Sequence, residues 1–187
     1  TLTYPTLFRS LNVPQETIKY GDKTVTNVEI GAVSHEYYNI ENLQIAKGRF
    51  YNASESISGT PVVVLGDEIA NSLFGNFDPI GKQVRLYGRK FNVIGVLKKE
   101  GKGLFGGSKD TSVFVPVNLI RRIYGNNSRY AFPAIIVKPE SGVDLSEFNA
   151  IVTQKLRTFR GLKPDDITNF FVNQLQGFTD FFDNITG

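Results

Sequence analysis

Cysteine, methionine and tryptophan are absent from the sequence, and His35 is its single histidine. Without cysteine there is no disulfide framework, no thiol nucleophile and no thiolate metal site. One histidine excludes zinc sites built on several imidazoles. The lack of methionine and the start at Thr1 lead to the expectation of a segment cut from a longer chain, whose leader or membrane helix would lie outside it. Long apolar runs are also missing. None approaches the ~20 residues that cross a bilayer, so a soluble segment is expected. Runs of one charge are missing too. The 21 Lys and Arg are interspersed with 18 acids, for a net charge of +3. That describes a mixed, solvated surface and not a nucleic-acid arm.

What is present is ordinary globular material. Of 187 residues, 41% are hydrophobic and 21% charged, enough for a real core in one domain or two small ones. Tyr20–Lys23 (YGDK) predicts a hairpin turn, and Thr24–Val33 a strand. Ser34 has the chemistry of an N-cap, and Tyr37, Tyr38, Leu43 and Ile45 then fall near helical spacing. Lys47–Ser56 is expected to be a loop, Thr60–Gly66 a buried strand, and Asp67–Gly75 a helix stopped by its glycine. Asp78-Pro79-Ile80-Gly81 suits a type I turn. A hairpin turning at Tyr87–Lys90 follows, then a strand at Thr111–Val117 and a short helix closed by Gly125.

Ala131–Pro139 predicts a strand with Pro133 near its edge or start. The clearest helix opens at Asp144 with Glu147 in a capping-box pattern. Leu145, Phe148, Val152, Leu156 and Phe159 form its buried stripe, and Gly161 ends it. Asp166–Gln174 predicts a strand, and Leu175, Phe178, Phe182 and Ile185 one face of a final amphipathic helix. The middle of the chain is richer in strands than the ends. The economical drawing is therefore an α+β fold: an α/β layer from residues 1–56 and 130–187, with a β-rich part inserted at 57–129. Ile135–Lys138, the long helix and Thr168–Val172 would make a β-α-β unit in the outer part.

Sites of chemistry are few. Gly101-Lys102-Gly103-Leu104-Phe105-Gly106 spells the dinucleotide pattern G-x-G-x-x-G, but no helix opens after it. A phosphate loop fails as well, because Gly107-Ser108 stands where Lys-Ser/Thr is required. Lys102, Leu104 and Phe105 are better placed at the tip of a loop that meets a partner. His35 beside Glu36 has no nucleophile or orienting partner nominated by sequence. Asp165-Asp166 suits turn chemistry, and Asp180 with Asp183 a solvated helix face. Arg121-Arg122 and Arg85–Lys90 are too short for a nucleic-acid surface. The sequons at Asn52, Asn126 and Asn184 carry weight only in a secreted eukaryotic chain. No catalytic, cofactor or metal residues are assigned.

The order of motifs is more informative. Gly48-Arg49-Phe50, Val64-Leu65-Gly66, Leu73-Phe74-Gly75, Asp78-Pro79-Ile80-Gly81-Lys82, Phe91-x-Val93-Ile94-Gly95-Val96 and Val115-Pro116 follow one another. This series closely resembles the extracytoplasmic core domain of MacB-like ABC transporter permeases, a family that includes the lipoprotein-releasing permeases. Motifs carry the resemblance from Ile30 to Leu119, and element order carries it beyond.

The resemblance implies a split porter-like part and an inserted sabre-like part, hung between two membrane helices on the periplasmic side. It implies a non-catalytic domain that passes ATP-driven helix motion to the periplasm for efflux or substrate extraction, with ATP hydrolysed on a separate domain or subunit. The implied partners are a second permease copy, as homodimer or heterodimer, that cytoplasmic ATPase through the membrane helices, and an adaptor, outer-membrane or lipoprotein partner. Leu175, Phe178, Phe182 and Ile185 would then face a stalk or dimer contact. Gly48, Arg49, Phe50, Gly75, Asp78, Pro79 and Gly81 would determine the fold, with Arg49 paired to a carboxylate such as Glu55. The alternative from another class is a freestanding extracytoplasmic module that captures a ligand between its two parts.

Overall fold

A computed structural model describes residues 6–101, 108–125, 128–139 and 142–172. The chain forms two compact units, one spanning Leu2–Lys138 and one beginning at Pro139.

The first unit is built on a single sheet. Its strands are β1 (Thr6–Asn12), β2 (Glu16–Tyr20), β3 (Lys23–Val33), β4 (Ile45–Gly48), β5 (Val62–Leu65), β6 (Gln83–Leu86), β7 (Arg89–Leu97), β8 (Ser112–Pro116) and β9 (Phe132–Lys138). The order is β2-β6-β7-β5-β8-β3-β1-β9, with β4 paired to β7. β2 pairs with both β6 and β3, so six strands close into a ring from which β1 and β9 extend. β3 and β8 are parallel, as are β5 and β7.

Alternation along the strands sorts side chains into two cores. Every strand of the ring feeds the larger one, with Ile18, Val28, Val63, Leu65, Val84, Phe91 and Val113 among its members. The helix α3 (Asp67–Phe74) adds Ile69, Ala70, Leu73 and Phe74, the face its spacing predicts. The smaller core holds Phe8, Leu43, Phe50, Tyr51, Val62, Val64 and Phe114.

Two turns show how local chemistry sets register. Leu86 pairs with Arg89, leaving Tyr87 and Gly88 as a two-residue turn with φ of 51° and 70°, the type I′ geometry that joins twisted strands. The Asp78–Gly81 turn is displaced by one residue from its sequence placement. Gly81 donates its amide to Val93 O at 2.8 Å, and the turn closes from Lys82 N to Pro79 O at 3.1 Å. Gly81, at φ 77°, therefore occupies the third position of the turn and not the fourth.

Other local expectations change as well. Ser34 caps no helix: it is buried, and its hydroxyl accepts from Arg9 N at 2.9 Å. The helix α1 is short (Tyr37–Ile40), and Ile45 belongs to β4, because pairing with β7 competes successfully for that stretch. The expected loop at Lys47–Ser56 contains the end of β4 and the start of helix α2 (Ala53–Ser58), opened by a capping box between Asn52 and Glu55. The helix α4 (Val117–Tyr124) ends at Gly125 as expected.

The compact units do not follow the drawn boundaries near 57 and 129. β3 pairs with β8, β2 with β6 and β1 with β9, so both ends of that drawing and its insert share one sheet.

In the second unit, helix α5 (Leu145–Phe159) starts at Asp144, whose carboxylate accepts Glu147 N at 2.8 Å. Its apolar stripe is not buried: Leu145, Phe148, Val152 and Leu156 are half-buried and Phe159 is 88% exposed. Residues 166–172 form no strand, so the β-α-β unit lacks its second strand among the described residues. Arginines satisfy that backbone instead. Arg157 donates to Lys163 O at 2.6 Å, Asp166 O at 3.0 Å and Thr168 Oγ1 at 2.7 Å, and Arg160 to Asn169 O at 3.1 Å.

Candidate functional site

The motifs separated in sequence meet around β7. Gly48 of β4 stands opposite Gly95, and Arg49 N donates to Ile94 O at 2.9 Å. A Cβ on Gly48 would strike the Ile94 carbonyl, and one on Gly95 the Arg49 carbonyl. Only two glycines let these backbones approach so closely. On the neighbouring turn, Asp78 Oδ1 accepts Ile80 N at 3.2 Å, and Lys82 O accepts Val93 N at 2.9 Å. Pro79 is buried, and an open cleft beside it is lined by Gly48, Arg49, Gly81 and Ile94 among others.

Past Gly48 the chain places three side chains in sequence. Arg49 grips Glu55 through both terminal guanidinium nitrogens, at 2.7 and 2.8 Å. Glu55 Oε2 also accepts Asn52 N at 2.9 Å and so completes the α2 cap. The hydrogen bonds from Arg49 lead in holding the Glu55 carboxyl below its usual range, against the opposing effect of burial. Phe50 stacks between Tyr38 and Tyr51, with ring centroids at 5.5 and 4.1 Å. Tyr51 is 2% exposed, and its hydroxyl lies 2.9 Å from Val33 O and 3.2 Å from Val115 O, spanning the ends of β3 and β8. Burial pushes the Tyr51 phenol well up.

A second, shallow cleft beside Arg49 is lined by His35, Tyr38, Phe50 and Tyr51 among others. His35 Nδ1 lies 3.3 Å from Glu36 Oε2 without hydrogen-bond alignment. Burial raises the Glu36 carboxyl, but the Ser34 hydroxyl, the Glu36 amide, His35 and Arg9 outweigh it and leave it lowered. The nearby serines serve backbone amides: Ser34 Oγ takes Arg9 N, and Ser56 Oγ takes His35 N at 3.2 Å. Neither is presented as a nucleophile by its imidazole. Among the described residues no group of three His, Asp or Glu side chains stands ready for a metal, and no helix is long and apolar enough to cross a membrane.

The glycine-rich loop leaves β7 and returns through Ser108. Lys102, Leu104 and Phe105 lie outside the described residues, as do Leu175, Phe178, Phe182 and Ile185 of the expected terminal helix. The loop's ends are held by Asp110, which is fully buried. Its carboxylate accepts Glu100 N at 3.0 Å and Gly101 N at 2.8 Å.

The structure thus brings Gly48, Arg49, Phe50, Asp78, Pro79 and Gly81 into one neighbourhood. Gly75 instead ends α3, beside the buried Phe74 that packs on Tyr20 at 4.3 Å. Sequence reasoning missed Asp110, Tyr51 and α2. For α2 a signal was present, the N-x-x-E of Asn52 and Glu55. For Asp110 and Tyr51 there was none, since their partners are set by the fold.

Similarity to known proteins accords with this geometry. The profile of the "MacB-like periplasmic core domain" matches residues 4–155. A "Macrolide export ATP-binding/permease protein MacB" from Aggregatibacter actinomycetemcomitans is 26% identical over 167 residues, covering 89% of this chain and 25% of that protein. The chain therefore spans about a quarter of the length of such relatives. The crystal structure of the periplasmic region of MacB from Actinobacillus actinomycetemcomitans shares the fold, with a TM-score of 0.71 at 22% identity, covering 96% of this chain and 77% of the other. The extracellular domain of the transporter YknZ from Gram-positive bacteria shares it with a TM-score of 0.64 at 22% identity, covering 83% and 76%. With a single family profile spanning most of its length, the chain belongs to the MacB-like periplasmic core domain family.

Proposed function

We propose that this chain is the extracytoplasmic part of an ABC transporter permease and acts without catalysis. It would couple the motion of membrane helices, driven by an ATPase on a separate domain or subunit, to efflux or substrate extraction outside the cytoplasmic membrane. The observation that carries this reading is the family match over residues 4–155. The packing around the Gly48-Arg49-Phe50 motif supports it: Arg49 and its neighbours Glu55 and Tyr51 use their polar atoms on the protein itself.

In this proposal the porter-like role falls to residues 1–56 with 130–187 and the sabre-like role to 57–129. That is a division by role that cuts across the continuous sheet. Lys102, Leu104 and Phe105 would contact an adaptor, outer-membrane or lipoprotein partner. Leu175, Phe178, Phe182 and Ile185 would form the stalk face toward a second permease copy. The cell surface concerned is the periplasmic face in a Gram-negative source.

The test begins with the source gene. Apolar spans of about 20 residues on both sides of the segment, together with an active alkaline phosphatase fusion at Lys98, support the proposal. A cleavable leader before Thr1 and no spans anywhere would overturn it, in favour of a freestanding binding module.

A further inference from the structure

Asp110 is the one acidic side chain among the buried residues described, and nothing in the permease reading uses it. Among the described residues no cation pairs with it. Lys109 turns away to Glu100 at 3.5 Å and Glu41 at 3.8 Å. A buried carboxylate needs its lone pairs filled, and here two consecutive amides fill them, Glu100 N on Oδ1 and Gly101 N on Oδ2. These amides belong to the strand side of the glycine-rich loop, whereas Asp110 belongs to the return side. Ser108 repeats the link: its hydroxyl donates to Gly101 O at 3.0 Å and accepts Asp110 N at 3.1 Å. The return side is itself pinned to the ring. A Cβ on Gly66, at the start of α3, would strike the carbonyls of Lys109 and Asp110, and Gly66 N donates to Ser112 O at 2.8 Å.

We infer that Asp110 is a positioning residue whose carboxylate clamps the two ends of the glycine-rich loop to each other, while its backbone packs against Gly66 at the start of α3. The Lys109 ion pairs extend the clamp to Glu41, which follows α1. A displacement of the loop ends is thus delivered to α1 and α3 instead of being absorbed locally. The inference stands whatever the loop touches.

The test is nuclear magnetic resonance on the 187-residue chain. In the unaltered protein, couplings across the hydrogen bonds should connect the Glu100 and Gly101 nitrogens to the Asp110 side-chain carboxyl carbon. Their absence overturns the clamp without any variant. Amide exchange then separates a clamp from general stabilisation. Asp110→Asn keeps one acceptor oxygen, so one of the two amides should exchange at least tenfold faster and the other far less, given the strength of charge-assisted bonds. Asp110→Ala should accelerate both. The amides of Val63, Val64, Val113 and Val115 open only with the fold and should accelerate by no more than the loss of global stability read from urea unfolding. Unchanged exchange at Glu100 and Gly101 would sink the proposal, and so would equal acceleration of the two in Asp110→Asn. A residue merely stabilising the fold moves these two amides together, which the clamp does not.

Discussion

Gly48 stands opposite Gly95 in the β4–β7 ladder, and neither position has space for a Cβ against the carbonyl of the facing strand. This approach sets where Arg49 leaves the sheet, and hence its reach to Glu55 six residues on.

Steric exclusion and backbone conformation make separable demands, which two substitutions distinguish. Gly95→Ala drives a methyl group into backbone that cannot rotate aside, and should cost about 3 kcal/mol or more. Gly88 has φ 70° but open space around it. Gly88→Ala should therefore cost only about 1 kcal/mol, from conformation. Urea unfolding of both variants measures the contrast, and similar losses would contradict the close-approach account.

The Arg49–Glu55 pair is bidentate but half exposed, at 54% for the Arg49 side chain and 18% for Glu55. A double-mutant cycle with Arg49→Ala and Glu55→Gln should return a coupling of about 1 kcal/mol or less, decreasing in high salt. Because the folded Glu55 pKa is lowered, its contribution is fully present above the unfolded carboxylate value of about 4.3 and disappears as pH falls through the lower folded value. Arg49→Ala should accordingly move the acid-unfolding midpoint to higher pH.

Among the described residues three tyrosines, Tyr37, Tyr51 and Tyr87, have raised phenol pKa values, caused first by burial in each case. Their contribution to stability is complete below the unfolded value of about 10 and is lost as pH rises through the higher folded values. Spectrophotometric titration at about pH 11 should show these three still protonated. Tyr51→Phe removes a hydroxyl from two strand-end carbonyls, Val33 O and Val115 O, and should cost about 1–2 kcal/mol in urea unfolding.

In the second unit, Arg157 reaches three carbonyls and a hydroxyl between Lys163 and Thr168. A lysine offers a point charge without that planar fork. Arg157→Lys should therefore raise amide exchange in residues 163–169 while leaving the middle of α5 unchanged. An unaltered exchange pattern would show that the guanidinium does not organise the segment.

Much of this was decided by short-range chemistry and hence legible in the sequence. The apolar spacing of Ile69, Ala70, Leu73 and Phe74 dictates α3, Asp144 starts α5, and Gly21 and Gly88 close two-residue turns, because each interaction lies within a few residues along the chain. The order of motifs was legible for the same reason, and so was the Arg49–Glu55 pairing. Tertiary structure decided the rest. Closure of the ring by Lys19 of β2 opposite Arg85 of β6 joins residues far apart in the chain. The Tyr51 hydroxyl meets a carbonyl 64 residues away. Asp110 acquires its two amides only once the loop has doubled back. At 166–172 the residue types that favour a strand were present, but among the described residues no neighbouring strand takes up their hydrogen bonds, and arginines of α5 reach carbonyls there instead. A helix satisfies its own backbone, whereas a strand or a buried carboxylate depends on partners that only the folded chain supplies.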